Sequence, residues 1–360
     1  MKVALLGPAD WPEVRRGGER YARELGWGLL AAGHQPRLIT AHPGPPQRLV
    51  EDGLPIVRHW RPPDGRLRRR AYEDYLTHVP FSYLSLRLGD DDVAVAFYNT
   101  DALAAVRWSE RTGKPAVYCN LGIPHRAWLA KRRLRLKTVL RAVEGSAAVV
   151  ALSRTAQEGF RRWLGVDARV IYPPVDVRRF RPGERAPEPT IVCPADARQP
   201  RKRVGLLVEA FRLVRRERPG ARLVLSAPAD VPEGDGVEVR DLDDAAALAA
   251  AYASAWVCAL PSIGEAFGLV LVEALACGTP VVGSDHGALP EVIDRPEIGR
   301  TFSGDEPEAL ARALLEALEL AGDPSAKAAC RARAEEFSVE RCVAAHLALY
   351  EELLQSTNVR

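Results

Sequence analysis

Two carboxylates, Glu265 and Glu273, stand at either end of an apolar segment in PSIGEAFGLVLVEALACGTPVVG, residues 261–283. Seven residues separate them, and none of the seven is charged. A plain core helix does not need this arrangement. A carboxylate at the start of a helix can accept two hydroxyl hydrogen bonds at once, as the vicinal hydroxyls of a ribose require. The pattern therefore indicates a site for a sugar-bearing ligand.

The same segment predicts a helix that begins near Phe267, with Glu273 inside it and Glu265 in the loop before it. The backbone N–H groups of Phe267, Gly268 and Leu269 then fall in the first turn, where they have no partner within the helix. Because helix N-termini attract anions, we expect these groups to face phosphate or sugar oxygens.

A second cluster, DARQPRKRVGLL, places four cations between a predicted strand and a predicted helix: Arg198, Arg201, Lys202 and Arg203. Positive charge at a helix start opposes the helix dipole, which is a small penalty for a loop that only faces water. A diphosphate would remove the penalty, and the cations would stabilise it as a leaving group. The cluster favours a diphosphate site over a solvated basic loop.

A glycine pair, Gly17–Gly18, lies between the strand-like run VALL and the first helical pattern. Glycines at this position let backbone N–H groups approach an anion closely. The same pair is equally suited to a tight turn, so both interpretations stay open.

Short apolar runs alternate with helix-length amphipathic runs along the whole chain. This rhythm is typical of α/β proteins and predicts two Rossmann-like, doubly wound parallel-sheet domains that face a cleft. In such sheets ligands bind outside the carboxyl ends of the strands. Proline, glycine and charge crowd together in RRFRPGERAPEP (178–189), where we place the linker. The predicted domains are 1–180 and 186–337, followed by a helical segment at 338–360.

The signature PSIGEAFGLVLVEALACGTPVV resembles the donor site of the retaining nucleotide-sugar glycosyltransferases of family four, sucrose synthase-like enzymes with the two-domain B-type (GT-B) fold. The matching elements are Pro-Ser, the first glutamate, Phe-Gly, Glu-Ala and Ala-Cys-Gly-Thr-Pro-Val-Val. Three other segments resemble the family's first helix, pre-linker segment and closing helix: GGERYARELGWGLLAAGH (17–34), YPPVDVRRF (172–180) and FSVERCVAAHLALYEELL (337–354). The resemblance covers almost the whole chain and is weak over 41–115.

This resemblance implies that the N-terminal domain binds the acceptor, that the C-terminal domain binds the donor, and that the closing helix crosses back onto the N-terminal domain. Carried over by position, Glu265 contacts hydroxyls of the donor sugar and Glu273 the ribose. Lys202 matches the family's diphosphate lysine. Its usual arginine partner would fall near Asp196, so either Arg198 or Arg201 takes that role.

On the acceptor side, family members often carry a histidine after the strand that resembles AVYCN. Here the strand ends at Asn120 and His125 follows several residues later, so His125 is either a catalytic candidate or a surface histidine. Asn120 and Trp11 are the acceptor-binding candidates, since a tryptophan in the first loop can stack on a ring.

The resemblance implies a retaining hexosyl- or N-acetylhexosaminyl-transferase. Its donor would be a nucleotide-sugar, expected to be a UDP-sugar, and its acceptor a hydroxyl of a small polar molecule such as a sugar, cyclitol or secondary metabolite. The nucleotide-sugar is a substrate, and no cofactor or metal is expected because Lys202 and an arginine neutralise the diphosphate. The acidic clusters GDDDVAV (89–95) and DLDD (241–244) predict turn and N-cap roles rather than metal binding.

Three alternatives stay open. A lipid-linked acceptor would fit the basic segment 125–145, which predicts an amphipathic helix that either contacts anionic membrane weakly or faces water. A nucleotide-sugar epimerase of the same fold would need no acceptor, but the complete Glu-x7-Glu signature argues against it. A catalytically silent nucleotide-sugar binding protein could lose Lys202 or Glu265, and both are present.

Composition restricts the class of partner and the cellular compartment that we expect for this protein. The net charge of +3 arises from 50 basic and 47 acidic residues, so nothing calls for a nucleic-acid partner. Six cysteines without a C-x-x-C pair are typical of free thiols in a reducing cytoplasm. The start lacks the pattern of a signal peptide, and the most apolar stretch (245–261) is shorter than the roughly 20 residues that span a bilayer. We expect a cytoplasmic protein.

Overall fold

The computed structural model of the chain describes residues 1–10, 17–62, 76–229 and 234–358. The chain divides into two compact units. Unit 1 consists of Met1–Pro174 and Val339–Arg360, and unit 2 consists of Val175–Ser338.

Unit 1 is built on one sheet with the strands β1 (Lys2–Leu6), β2 (Gln35–His42), β3 (Gln47–Glu51), β4 (Leu54–Trp60), β5 (Val93–Ala96), β6 (Ala116–Asn120), β7 (Ala148–Ala151) and β8 (Arg169–Val170). Their order is β3-β4-β2-β1-β5-β6-β7-β8, and every neighbouring pair is parallel except β3–β4. Its helices are α1 (Gly17–Ala31), α2 (Val79–Leu88), α3 (Asn99–Thr112), α4 (Arg126–Ala130), α5 (Arg133–Gly145), α6 (Arg154–Leu164) and the last helix of the chain, α13 (Val339–Asn358).

Unit 2 contains the strands β9 (Thr190–Cys193), β10 (Arg222–Ser226), β11 (Val237–Arg240), β12 (Val257–Leu260), β13 (Val281–Ser284) and β14 (Gly299–Phe302). All its strand pairs are parallel, in the order β11-β10-β9-β12-β13-β14. Its helices are a 3₁₀ turn (Pro200–Lys202), α7 (Val204–Glu217), α8 (Ala245–Ser254), α9 (Leu269–Ala276), α10 (Leu289–Val292), α11 (Pro307–Ala321) and α12 (Pro324–Glu335).

Both sheets reverse their winding direction at one point, which lies between β1 and β5 in unit 1 and between β9 and β12 in unit 2. The inner strands are buried on both faces, as β5 and β12 show, and therefore have continuous apolar sequences instead of alternating ones. The carboxyl ends at a reversal point leave a crevice for a ligand. The two doubly wound α/β units predicted from the sequence are confirmed.

Three local predictions need correction. The sheet of unit 1 is not uniformly parallel, because β3 and β4 form a hairpin whose turn residues Asp52 and Gly53 both have positive φ, 47° and 81°. The basic segment 125–145 is not one helix, because Arg132 is extended (φ −148°, ψ 124°) and separates α4 from α5. The helix expected near Phe267 begins at Leu269 instead, since φ of Gly268 is +105°.

The division between the units falls after Pro174, six residues before the end of the predicted first domain. The N–H of Val175 donates to the carbonyl of Phe337 at 2.9 Å. Phe180 is 1% exposed, and its ring lies 5.9 Å from that of Tyr252. The proline-rich segment thus begins with apolar anchors in unit 2, which its local composition concealed.

The last helix, α13, packs on α1 through a buried polar cluster. His346 is 0% exposed; its Nε2 lies 2.8 Å from the hydroxyl of Tyr21 and its Nδ1 lies 3.0 Å from that of Tyr350. Gly28 of α1 lets the helices approach closely, because a Cβ there would lie 2.5 Å from Val343. These contacts hold the chain's final segment in unit 1.

The buried histidine makes the stability of unit 1 sensitive to acid. Burial lowers the pKa of His346 to about 3, so below pH 6.5 the unfolded chain binds a proton that the folded chain does not. His59 acts in the same direction, with a pKa lowered to about 4 by burial and then by the charges of His78 and Arg48. We expect the free energy of unfolding to fall between pH 6.5 and pH 4, with His346 contributing about 1.4 kcal/mol per pH unit.

Urea unfolding at several pH values measures this dependence, with tryptophan fluorescence as the signal because six of the seven tryptophans precede residue 175. The variant His346→Gln, which has one titrating group fewer, should show a shallower decline. Equal slopes for the variant and the parent would contradict the assignment to His346.

Candidate functional site

Two cations and one carboxylate meet at the reversal point of the unit 2 sheet. Lys202 Nζ lies 2.7 Å and Arg201 Nη1 lies 2.8 Å from the same oxygen, Oε1 of Glu265. The side chains of Lys202 and Glu265 are 15% and 14% exposed, whereas Arg201 is 49% exposed. The cations follow β9 and the carboxylate follows β12, which are adjacent strands. Both motifs of the sequence analysis therefore belong to one site.

Backbone contacts between the two loops fix this cluster. The N–H of Ile263 donates to the carbonyl of Arg201 at 2.9 Å. Arg203, the residue before α7, has φ +51° and donates through Nε to the carbonyl of Pro261 at 2.6 Å. These bonds hold the β9 loop against the β12 loop.

The charge state of Glu265 follows from two opposing effects. Burial favours the neutral acid and acts to raise its pKa, but the ammonium of Lys202 and the guanidinium of Arg201 outweigh burial. The pKa of Glu265 therefore lies below its usual value, and the carboxylate is ionised at neutral pH. The cluster carries a net positive charge, which suits an anionic ligand.

Gly287, in the loop after β13, is in direct contact with the backbone of Glu265. A Cβ at Gly287 would lie 2.5 Å from the carbonyl oxygen of Glu265 and 3.0 Å from its nitrogen. The next residue, Ala288, donates its N–H to that same carbonyl at 2.9 Å. Gly287 has φ +65°, so glycine is required both by conformation and by space. The sequence analysis missed this residue, although its place just after a strand would have put it at the same sheet edge.

Arg198 occupies a different position from Arg201. Its guanidinium pairs with Asp196 of its own loop, with Nε–Oδ1 at 3.0 Å and Nη2–Oδ2 at 3.2 Å, and its side chain is 60% exposed. Between the two arginines left open by the sequence, the structure brings Arg201 to Lys202 and leaves Arg198 on Asp196.

Glu273 lies inside α9 and is 1% exposed. The hydroxyl of Tyr252, on α8, donates to its Oε2 at 3.1 Å. The two glutamates of the signature therefore have different partners, and little of the Glu273 surface is open to a ligand. Tyr252 was not singled out from the sequence, because only the contact between α8 and α9 makes it a neighbour of Glu273.

The residues at the start of α9 are tightly packed. Phe267 is 3% exposed and sets its ring edge-on against Phe337, with centroids 5.1 Å apart. A Cβ on Gly268 would lie 2.6 Å from Leu289. The side chain of Phe267 thus has a packing role, and what this turn offers a ligand is its backbone, including that of Leu269.

In unit 1, the glycine pair begins α1, as expected. Gly18 lies against Leu121 and the hydroxyl of Tyr98, at 2.4 Å and 3.4 Å from where its Cβ would be. That hydroxyl donates to Oε1 of Glu19 at 2.8 Å, and Glu19 is 3% exposed. A carboxylate therefore already stands in the first turn of this helix, close to where the sequence suggested an anion.

Asn120 and His125 line the same pocket in unit 1, whereas Trp11 lies outside the described residues. His125 is the N-cap of α4, and its Nδ1 accepts the N–H of Trp128 at 3.3 Å. An accepting Nδ1 puts the proton of the neutral ring on Nε2. The same N–H of Trp128 also donates to the carbonyl of His125 at 3.1 Å, and in the tautomer with Nε2 protonated His125 can donate a hydrogen bond to a ligand.

The acidic clusters have structural partners. Asp91 pairs with Arg37 at the amino end of β5, and Asp244 caps α8 by accepting the N–H groups of Ala246 and Ala247 at 2.9 Å. Among the described residues, no group of histidine, cysteine and acidic side chains could hold a metal ion. Within the same residues, no helix is both long and apolar enough to cross a membrane.

Two family models match the chain. The model described as Glycosyltransferase Family 4 matches residues 15–179, and the model described as Glycosyl transferases group 1 matches residues 188–320. Together they extend over most of both units.

Curated relatives match over part of their length. A D-inositol 3-phosphate glycosyltransferase from Saccharomonospora viridis is 35% identical over 219 residues, 52% of this chain and 50% of the relative. One from Segniliparus rotundus is 36% identical over 148 residues, 34% of this chain and 33% of the relative. The match thus spans half or less of the length of these relatives.

Solved structures match over the full chain. Sucrose-phosphate synthase from Thermosynechococcus elongatus has a TM-score of 0.82 at 21% identity and covers 99% of both chains. HepE from Anabaena, solved in complex with UDP and glucose, has a TM-score of 0.70 at 18% identity and covers 98% of this chain and 99% of that one. At these identities the likeness establishes the B-type glycosyltransferase fold.

Proposed function

This chain belongs to glycosyltransferase family 4, with the B-type fold, and from that premise we propose that it transfers a sugar from a UDP-sugar to a hydroxyl of a small polar acceptor, with retention of configuration at the anomeric carbon. The observation that carries the proposal is the meeting of Lys202 and Arg201 on Glu265 at the reversal point of the unit 2 sheet. Two cations suit a diphosphate, and the ionised carboxylate suits sugar hydroxyls. HepE, a protein of the same fold, was solved with UDP and glucose.

In the proposed reaction, the bond between the anomeric carbon and the diphosphate oxygen breaks while the acceptor oxygen bonds to the same face of that carbon. The acceptor's proton passes to the departing diphosphate, so no protein side chain needs to take it. Lys202 and Arg201 stabilise the negative charge that grows on the leaving group. Glu265 releases them in part as it binds the donor sugar, and its role is to orient that sugar. These side chains supply the positive charge, so the proposal includes no metal and no cofactor.

His125 acts as a donor in this scheme. With Nδ1 held by the N–H of Trp128, its Nε2–H can bind an acceptor oxygen. The proposal therefore assigns His125 to acceptor positioning and not to proton abstraction, which is a narrower role than the sequence allowed.

The proposed function is tested by incubating the protein with UDP-sugars and measuring release of UDP with and without hydroxylated acceptors. Acceptor-dependent release, with a product of the donor's anomeric configuration by NMR, is the expected result. Interconversion of the donor sugar without UDP release would identify an epimerase instead. Binding without either reaction would identify a nucleotide-sugar binding protein.

The role of Glu273 gives a separate prediction. If its carboxylate binds the ribose hydroxyls, the parent should bind UDP more tightly than 2′-deoxy-UDP by about 1–3 kcal/mol, the cost of one unpaired polar group. The variant Glu273→Gln keeps an oxygen for Tyr252 but loses the charge, so it should reduce this preference. Calorimetric titration of both nucleotides measures it, with Tyr252→Phe as the control for loss of the hydrogen bond between Tyr252 and Glu273. Equal affinity of the parent for both nucleotides would remove Glu273 from ribose binding.

A further inference from the structure

A pocket in unit 1 has a composition that restricts what can occupy it. It lies at the carboxyl ends of β5 and β6, beside the reversal point of the sheet, and has a volume of about 320 Å³. Phe97, Tyr98, Tyr118 and Trp128 form its aromatic walls, and Asn120 and His125 are among its polar residues. We refer to these six residues and the space between them as the ring pocket.

We propose that the ring pocket binds an uncharged, hydroxylated ring, and that the acceptor of this chain is therefore not a phosphate ester. The term acceptor rests on the proposed function, but binding of the ring to this pocket does not depend on sugar transfer. The similar proteins named D-inositol 3-phosphate glycosyltransferases are named for a phosphorylated substrate. A preference for an unphosphorylated ring would therefore distinguish this chain from them.

The walls favour a ring. The volume is at the lower end of the range for small-molecule pockets, roughly 300–1,000 Å³, so it accommodates one small molecule. Aromatic side chains offer flat apolar faces against which the C–H face of a sugar or cyclitol, or an aromatic ring, can stack. Arg135 stacks on the Trp128 ring at 4.8 Å and donates to the Trp128 carbonyl, which fixes the position of that wall.

The lack of charged side chains among the described lining residues disfavours a phosphate. None of the described residues that line the pocket is lysine, arginine, aspartate or glutamate. Arg135, over the Trp128 ring, is not among the lining residues, so an anion in the pocket would lose water without a direct ion pair to a described lining side chain, which is unfavourable. One wall makes this worse, because the hydroxyl of Tyr98 donates to the carboxylate of Glu19 at 2.8 Å. A phosphate against Tyr98 would therefore approach a negative charge one hydrogen bond away.

The polar atoms select oxygen acceptors. Oδ1 of Asn120 accepts the N–H of Gly122 at 2.8 Å, so the amide is oriented and its N–H groups have no partner within the described part of the chain. The cap made by Nδ1 of His125 leaves Nε2–H as a second donor. Two donors match the oxygens of hydroxyl groups.

Binding of matched pairs to the whole protein, without donor, tests the proposal. The pairs are glucose and glucose 6-phosphate, myo-inositol and myo-inositol 3-phosphate, and phenol and phenyl phosphate, each titrated by calorimetry or by tryptophan fluorescence. We expect the neutral member of at least one pair to bind about tenfold or more tightly than its phosphate ester. Binding of none of the six, or the lack of such a preference in every pair, overturns the proposal.

A variant that gains affinity for a ligand must be folded, so its result cannot be explained by misfolding. Ile123 lines the pocket, and Ile123→Lys places a cation in it, so affinity for the phosphate esters should rise by about tenfold while the preference for neutral rings falls. Leu134→Lys is the matched control, because Leu134 is 43% exposed and does not line the pocket. Equal effects of the two substitutions on the affinity for phosphate esters would overturn the assignment of the ring to this pocket.

The outcomes for the two proposals are distinguishable. A protein that binds neutral rings at the ring pocket but releases no UDP in their presence would contradict the proposed function and leave the pocket assignment intact. A protein that transfers sugar to a phosphorylated acceptor, with Ile123→Lys and Leu134→Lys alike in selectivity, would contradict the pocket assignment and leave the transferase function intact.

Discussion

Replacing Lys202 with alanine is expected to lower turnover by about 10²-fold or more while changing donor affinity much less. The ammonium lies 2.7 Å from Glu265, and its charge is needed most when the diphosphate departs. Interactions that strengthen in the transition state act on turnover and not on ground-state binding. Steady-state kinetics with a UDP-sugar, together with the affinity for UDP measured separately, give both quantities.

The surface lysine Lys327 provides the matched control, since its Nζ bonds only to the carbonyl of Gly183 among described residues and lies apart from this loop. Lys327→Ala should retain parental turnover. Within the loop, Arg201→Ala should have a larger effect than Arg198→Ala, because Arg201 reaches Glu265 whereas Arg198 pairs with Asp196. A Lys202→Ala protein with turnover within a factor of about two of the parent would exclude the leaving-group role.

The substitution Gly287→Ala is the second change with a large expected effect. Its Cβ would lie 2.5 Å from the carbonyl oxygen of Glu265, so the backbone that carries this carboxylate must move. Misplacement of an orienting group by about 1 Å can lower a rate by up to 10²-fold, and we expect turnover to fall by at least about 10-fold. The side chain of Glu265 is retained, so the effect is one of position.

Gly304→Ala separates position from backbone strain. Gly304 also has positive φ, +83°, but nothing lies within 4 Å of where its Cβ would be. Both variants therefore carry the left-handed penalty of about 1–2 kcal/mol in folding, and only Gly287→Ala displaces Glu265. Comparing turnover and thermal unfolding of the two shows which effect dominates. Parallel losses in both variants would mean that Gly287 does not position Glu265.

Much of the fold could be predicted because its signals are local. Runs such as VALL and VAVA are continuous and apolar because their strands are buried on both faces. The hairpin of β3 and β4 was missed because its strand Gln47–Glu51 is largely exposed and lacks an apolar run. The start of α9 was misplaced by two residues, since a glycine's backbone conformation is not visible in its type.

The sequence alone determined which residues follow the strands that build the site in unit 2. Lys202 after β9 and Glu265 after β12 could be read from composition and from the Glu-x7-Glu spacing, because strand ends are marked by local polarity.

Tertiary structure decided their partners. Lys202 and Glu265 are 63 residues apart in the chain and become neighbours only because β9 lies beside β12 in the sheet. The same strand order places β13 on the other side of β12 and brings Gly287 to Glu265. Helix packing likewise gives Glu273 its Tyr252 contact. Periodicity encodes which face of an element is buried, but the identity of the neighbour across that face depends on the order in which the elements assemble.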